Sequence, residues 1–135
     1  MKQAVSVFVS CLFFVMLHAC AFDVVRVKQI PTQLETLSST SRSFELDREV
    51  TVHLDTGYSR VLKKASRWAC VGATPEGDVY KTKDQILTIE GSNIHEAFIV
   101  VKSQNLVGFY LPVERTYSPL SNPIALSTKE IVYNP

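Results

Sequence analysis

The chain has 135 residues, 46% of them hydrophobic and 20% charged, with fourteen Lys and Arg against thirteen Asp and Glu and a formal net charge of +1. That balance removes any electrostatic case for nucleic acid as a partner, and three cysteines are too few for a disulfide-built scaffold. Met1-Lys2-Gln3 gives a basic start, and Ala4 to Leu17 follows without a charge. A run of about fourteen apolar residues fits the core of a secretory signal and falls short of the roughly twenty needed for a membrane-spanning helix. Residues 1–20 are therefore expected to be a cleaved signal peptide. The remainder, about 115 residues, suffices for one hydrophobic core and not for two ordinary domains.

Leu17-His18-Ala19-Cys20 resembles the lipobox of bacterial lipoproteins, a Leu, two small residues and a Cys, with His18 standing where that family has a small side chain. The resemblance implies cleavage before Cys20, acylation of Cys20 and attachment to a membrane through that lipid anchor. Ala21 rather than Asp behind the cysteine implies an outer-membrane lipoprotein. More than one acyl chain makes such an anchor stable. Ala19-Cys20-Ala21 also reads as an A-x-A signal site, cut after Ala21, which would free a soluble periplasmic or secreted chain starting at Phe22. Either cut removes Cys11 and leaves Cys70 without an intramolecular partner. Within Trp68-Ala69-Cys70-Val71 the thiol is expected to be a small, inert, buried group.

Asp23 to Ile30 alternates Val25 and Val27 with Arg26 and Lys28, a strand or an extended tether closed by Pro31. Thr32 to Ser43 is rich in Ser and Thr and reads as a linker or surface loop, so residues 21–43 are expected to be a tether that, in a lipoprotein, would hold the domain off the membrane. From Phe44 the pattern is β. Val50, Val52 and Leu54 alternate with Thr51, His53 and Asp55, which predicts a half-buried strand. Tyr58 to Leu62 and Arg67 to Val71 follow as strands, and Thr74-Pro75-Glu76-Gly77-Asp78 is a strong turn signal. Val79 to Lys81, Gln85 to Glu90 and the apolar Ile94 to Lys102 come next, the last as the central strand. Ser103-Gln104-Asn105 then turns the chain into Leu106 to Leu111, its hairpin partner. Pro112 marks a strand end. Tyr117 to Leu126 is expected to be extended, and Ser127 to Pro135 a flexible tail. The β domain thus covers residues 44–126.

These short strands with frequent turns predict an all-β, mainly antiparallel fold: a small SH3-like barrel or a compact sandwich of about five to seven strands. Val79 to Glu114 resembles SH3-like barrels, with strand, diverging turn, strand, tight turn and then Gly108-Phe109-Tyr110-Leu111-Pro112. The resemblance implies a fold and transfers no ligand.

Catalytic patterns are not singled out. His53 and Asp55 share one strand face, with His53 paired to Asp55 or facing water, and His95 is expected to cap the Asn93 turn or to bond a neighbouring strand's backbone. Two histidines and one cysteine outside the leader do not make a zinc set, the serines lack a Gly-x-Ser-x-Gly elbow, and the glycines form no phosphate loop. Neither a cofactor nor a metal is expected. The remaining signal is aromatic. Tyr110 takes the parity opposite to Phe109 and Leu111 and is expected to be exposed. With Tyr80 or Tyr58 it would form a stacking surface for a peptide or glycan. The expectation is a non-enzymatic binding or assembly module of the cell envelope. An inhibitor or immunity-type protein for a secreted enzyme, or a small envelope hydrolase, are the alternatives.

Overall fold

The computed structural model describes residues 25–37 and 42–132. The leader, Cys20 and both cleavage positions lie outside the described residues, as do residues 38–41 and 133–135. Every regular element among the described residues is a strand: β1 (Ile30–Pro31), β2 (Glu35–Thr36), β3 (Ser43–Leu46), β4 (Val50–His53), β5 (Ser59–Leu62), β6 (Arg67–Thr74), β7 (Gly77–Thr82), β8 (Thr88–Glu90), β9 (Ile94–Glu96), β10 (Phe98–Lys102), β11 (Asn105–Leu111), β12 (Thr116–Ala125) and β13 (Thr128–Glu130). All pairings are antiparallel.

Nine strands form one sheet in the order β1-β12-β11-β10-β7-β6-β3-β13, with β2 paired to β6 beside β3, while β4-β5 and β8-β9 are separate hairpins. The alternation read at residues 50–54 is realised: Val50 and Val52 are buried while Thr51 and His53 are exposed. Leu62 on β5 and Leu87 and Ile89 beside and on β8 bring the two hairpins onto the large sheet's Leu46, Trp68, Ile99, Phe109 and Leu111 to close the main core. The architecture is that of a sandwich whose second layer is the pair of hairpins. Arg60 on β5 ties them, donating from Nε to Thr88 O at 2.7 Å and pairing with Glu90. The sheet stays open, so the SH3-like closed barrel is not the arrangement found; β1 and β13 end it without pairing to each other. The strand count exceeds the expected five to seven because several strands have only two or three residues.

Two segments expected to be free are stitched in. In the tether, Val27 is buried in the main core, β1 pairs with β12, and β2 pairs with β6. In the tail, Thr128–Glu130 pairs with Phe44–Leu46 of β3. The apolar run Ile94 to Lys102 is two strands rather than one. Ala97, buried, donates its N–H to Leu87 O at 2.9 Å and separates β9 in the small hairpin from β10 in the large sheet.

The second face of the central strands is also apolar. Val79, Val100, Tyr110 and Tyr117 form a smaller core there, with Leu34, Val71, Phe98 and Val107 packed against it. Leu34 arrives from the β1–β2 connection, which passes from β12 to β6. Gly72 is what admits that passage: a Cβ there would lie 2.9 Å from Leu34 Cδ1 and 2.4 Å from Glu35 O.

Candidate functional site

Tyr110 and the two tyrosines expected as its alternative partners in a stacking surface, Tyr80 and Tyr58, occupy three different environments. Tyr110 takes the predicted parity, opposite Phe109, but that face is the second core and its ring is 5% exposed. It packs beside Phe98 with ring centroids 6.3 Å apart. Tyr58 is 46% exposed in the connection between β4 and β5. Tyr80 is half-buried on the main-core face of β7, edge-on to Phe44 with centroids 4.8 Å apart. The structure therefore separates Tyr110 and Tyr58 from Tyr80, and only Tyr80 lines the cavity described next.

That cavity, with a volume of about 400 Å³, lies where β12 hands over to β13. Phe44, Tyr80, Val101 and Leu126 give it an apolar floor, and Arg42, Asp78, the Ser103-Gln104 turn, Thr128 and Glu130 give it a polar rim. Two of its walls follow from local sequence. The Pro75-Glu76 two-residue hairpin pairs Thr74 with Gly77 and sets β7 against β6, so Asp78 and Tyr80 face the same side. Gly77 is needed for close approach, since a Cβ there would sit 2.7 Å from Val101 O. Opposite, Ser103 and Gln104 both have positive φ, 50° and 61°, the signature of a type I′ hairpin. Gln104 O accepts from Leu126 N–H at 2.9 Å, which pins the β12–β13 junction over the turn.

Electrostatics at the rim are mixed. Arg42 bonds Asp78 Oδ2 at 3.1 Å and approaches Cys70 Sγ at 3.7 Å. The Asp78 hydrogen bond holds the Arg42 guanidinium above its ordinary pKa. Burial pushes the Tyr80 phenol up, and the nearby Cys70, Asp78 and Glu130 add to that direction. Glu130 has no ion-pair partner among the described residues. Cys70 is half-buried rather than fully buried, its Sγ 3.5 Å from Gly72 O.

The remaining polar side chains flagged in the sequence lie apart from this cavity. His53 Nδ1 is 2.9 Å from Ser59 Oγ across the β4-β5 hairpin, not paired to Asp55, and Asp55 instead accepts from Ser121 Oγ at 2.5 Å. His95 neither caps the Asn93 turn nor bonds a strand backbone. Its Nδ1 lies 2.5 Å from Glu114 Oε1, and Glu114 Oε2 is buried without a partner among the described residues. No group of three or more His, Cys, Asp or Glu side chains among the described residues is placed to hold a metal ion.

Sequence reasoning missed Arg42, Asp78 and Glu130 as rim residues. Asp78 carried a usable signal, being two residues from Tyr80 after a hairpin turn and hence on its face. Arg42 and Glu130 carried none, because both lie in segments read as linker and tail. Comparison of the chain with protein-family models, curated proteins and solved structures gives no match.

Proposed function

We propose that this chain is an exported cell-envelope protein, held to a membrane through acylated Cys20, whose β domain binds another envelope component without transforming it. The apolar leader and the Leu17-His18-Ala19-Cys20 sequence support the address and anchor. The binding reading rests on one observation: a cavity of about 400 Å³ with an aromatic floor and a polar rim, at the open side of the large sheet. Such concave, mostly apolar sites with a few placed polar groups are where proteins take ligands. Its hydroxyls, on Ser43, Tyr80, Ser103 and Thr128, share the lining with no histidine among the described residues, so no Ser-His pair is assembled there. Arg42 and Asp78 neutralise one another across the rim, an arrangement suited to recognition.

Two measurements test this. Intact mass of the protein extracted from membranes should equal the chain from Cys20 plus acyl groups; a mass starting at Phe22 removes the anchor. Amide chemical-shift mapping with solubilised envelope fractions should move Tyr80, Val101 and Gln104. Hydrolytic turnover of cell-wall material that Glu130→Gln abolishes would replace the reading with a hydrolase. Tight retention of a single secreted enzyme, with the cavity amides unmoved, would replace it with an inhibitor.

A further inference from the structure

The ladder between β13 and β3 fixes which backbone groups remain available. Asp47 N–H donates to Ser127 O at 2.8 Å and Ile131 N–H donates to Ser43 O at 2.9 Å. In an antiparallel pair the bonded residues alternate with non-bonded ones. Residues 127, 129 and 131 are therefore the ones bonded to β3, and the N–H and C=O of Thr128 and Glu130 point away from it. No strand of the described residues pairs with that side of β13, which ends the nine-stranded sheet. All three residues of β13 are exposed.

This edge is short, but it lacks two of the devices that block strand addition, a proline and a lysine free to cover it. It has no proline, and its one lysine, Lys129, is turned to Asp47 with Nζ 3.3 Å from Oδ1. Thr128 and Glu130 both line the cavity, so the unpaired backbone and the aromatic floor belong to one groove. Among the described residues Glu130 supplies the rim's unpaired charge, and that charge is negative.

From this juxtaposition we infer that the groove takes an extended peptide that adds a strand to β13 and places a basic side chain at Glu130 and an apolar one over Tyr80 and Phe44. The inference rests on the binding reading above and names its ligand class. The main-chain bonds to Thr128 and Glu130 supply affinity irrespective of sequence, while the alternate side chains meet the cavity and give preference. A basic side chain is selected because Glu130 is the carboxylate that Arg42 does not already neutralise.

The test uses the processed protein purified from its envelope and three capped six-residue valine–threonine peptides: one with a central lysine, one with glutamate there, and the lysine peptide N-methylated on its ladder-facing amides. The lysine peptide should bind saturably and move the Thr128, Glu130 and Val101 amides. The glutamate peptide should bind more weakly by about threefold or more, a difference that salt erases. N-methylation should abolish binding. Glu130→Gln should remove the preference for lysine over glutamate. Thr128→Pro removes an outward N–H without touching the β3 ladder, so it should weaken binding about tenfold at unchanged thermal stability. Equal binding of the N-methylated peptide would overturn strand addition while leaving a cavity-binding module standing. Absence of binding by the lysine peptide at millimolar concentration would overturn the inference, with the envelope-fraction mapping deciding the broader reading separately. Concentration-dependent dimerisation that buries β13 and resists the peptide would overturn it in favour of a second copy of this chain.

Discussion

Trp68 has no exposed surface and is the largest fully buried side chain among the described residues. Its indole Nε1–H donates to Ser66 Oγ at 3.0 Å, and the Ser66 hydroxyl donates to Lys63 O at 2.6 Å. Ser66→Ala removes the only acceptor, among the described residues, of a buried donor. The Lys63 carbonyl keeps the Ser66 N–H at 3.2 Å, so the orphan created is the indole alone. One buried unsatisfied group costs about 1–3 kcal/mol, so a loss of about 2 kcal/mol is expected. For a domain near 100 residues that lowers Tm by roughly 8–16 °C. Guanidinium unfolding followed by fluorescence measures it directly, because Trp68 is the single tryptophan. The cycle is closed with Trp68→Phe, followed by far-UV circular dichroism. In that background Ser66→Ala should cost less than about 0.5 kcal/mol, since no donor remains to be orphaned. A cost below about 0.5 kcal/mol with Trp68 present, or the same cost in both backgrounds, would refute the claim that this bond anchors β6 in the core.

Gly108→Ala should destabilise by about 2 kcal/mol or more, because its Cβ would lie 2.5 Å from Ser118 O and 2.6 Å from the Tyr117 ring. That ring is held by Tyr117 Oη donating to Val107 O at 2.9 Å, and a melting temperature within error of the parent would show that both the ring and the Ser118 carbonyl give way at little cost. Ser103→Asn with Gln104→Gly should stabilise by about 1 kcal/mol, since neither native residue favours the positive φ it adopts; an unchanged urea midpoint would count against it. Asp84 and Asp47 are held below the ordinary carboxylate pKa by hydrogen bonds from Arg67 and Lys129 respectively. Folded values below unfolded ones mean their stabilisation is present above about pH 4 and is lost as pH falls through the depressed folded values. The urea midpoint should therefore fall below pH 4, and Arg67→Met with Lys129→Met should flatten that limb; the exposed positions make the effect small and salt-sensitive.

The elements legible in the sequence are those whose evidence is local. Val50 to Leu54 shows its alternation within five residues, Pro75-Glu76 its turn within four, and the β10–β11 hairpin its two apolar arms around Ser103-Gln104. What escaped depends on partners far along the chain. β1, β2 and β13 hold two or three residues each, all exposed, and exist because β12, β6 and β3 offer free edges. Tyr110 illustrates the limit most sharply. Its parity was readable, but the coverage of its face was not, since that comes from Leu34 and Tyr117. An apolar run such as Ile94 to Lys102 likewise does not reveal that Ala97 hands it from one sheet to another.

The groove and the open edge share one cause. β12 pairs with β11 as far as Ala125 opposite Asn105, where β11 begins. There the β10–β11 turn ends the partner, and Leu126 enters the main core with its N–H on Gln104 O. The chain continues straight into β13, which takes β3 as its new neighbour. A strand that changes partners at a hairpin tip keeps a ladder on one side only. The side of β13 that would have met a longer β10–β11 hairpin faces the gap left beyond Ser103-Gln104. Closing the gap would require lengthening that hairpin, and the type I′ turn, with positive φ at both central residues, forbids extension without new residues. The cavity is therefore a property of the topology, and the side chains around it, Tyr80 and Phe44 below and Glu130 at the rim, set only its chemistry.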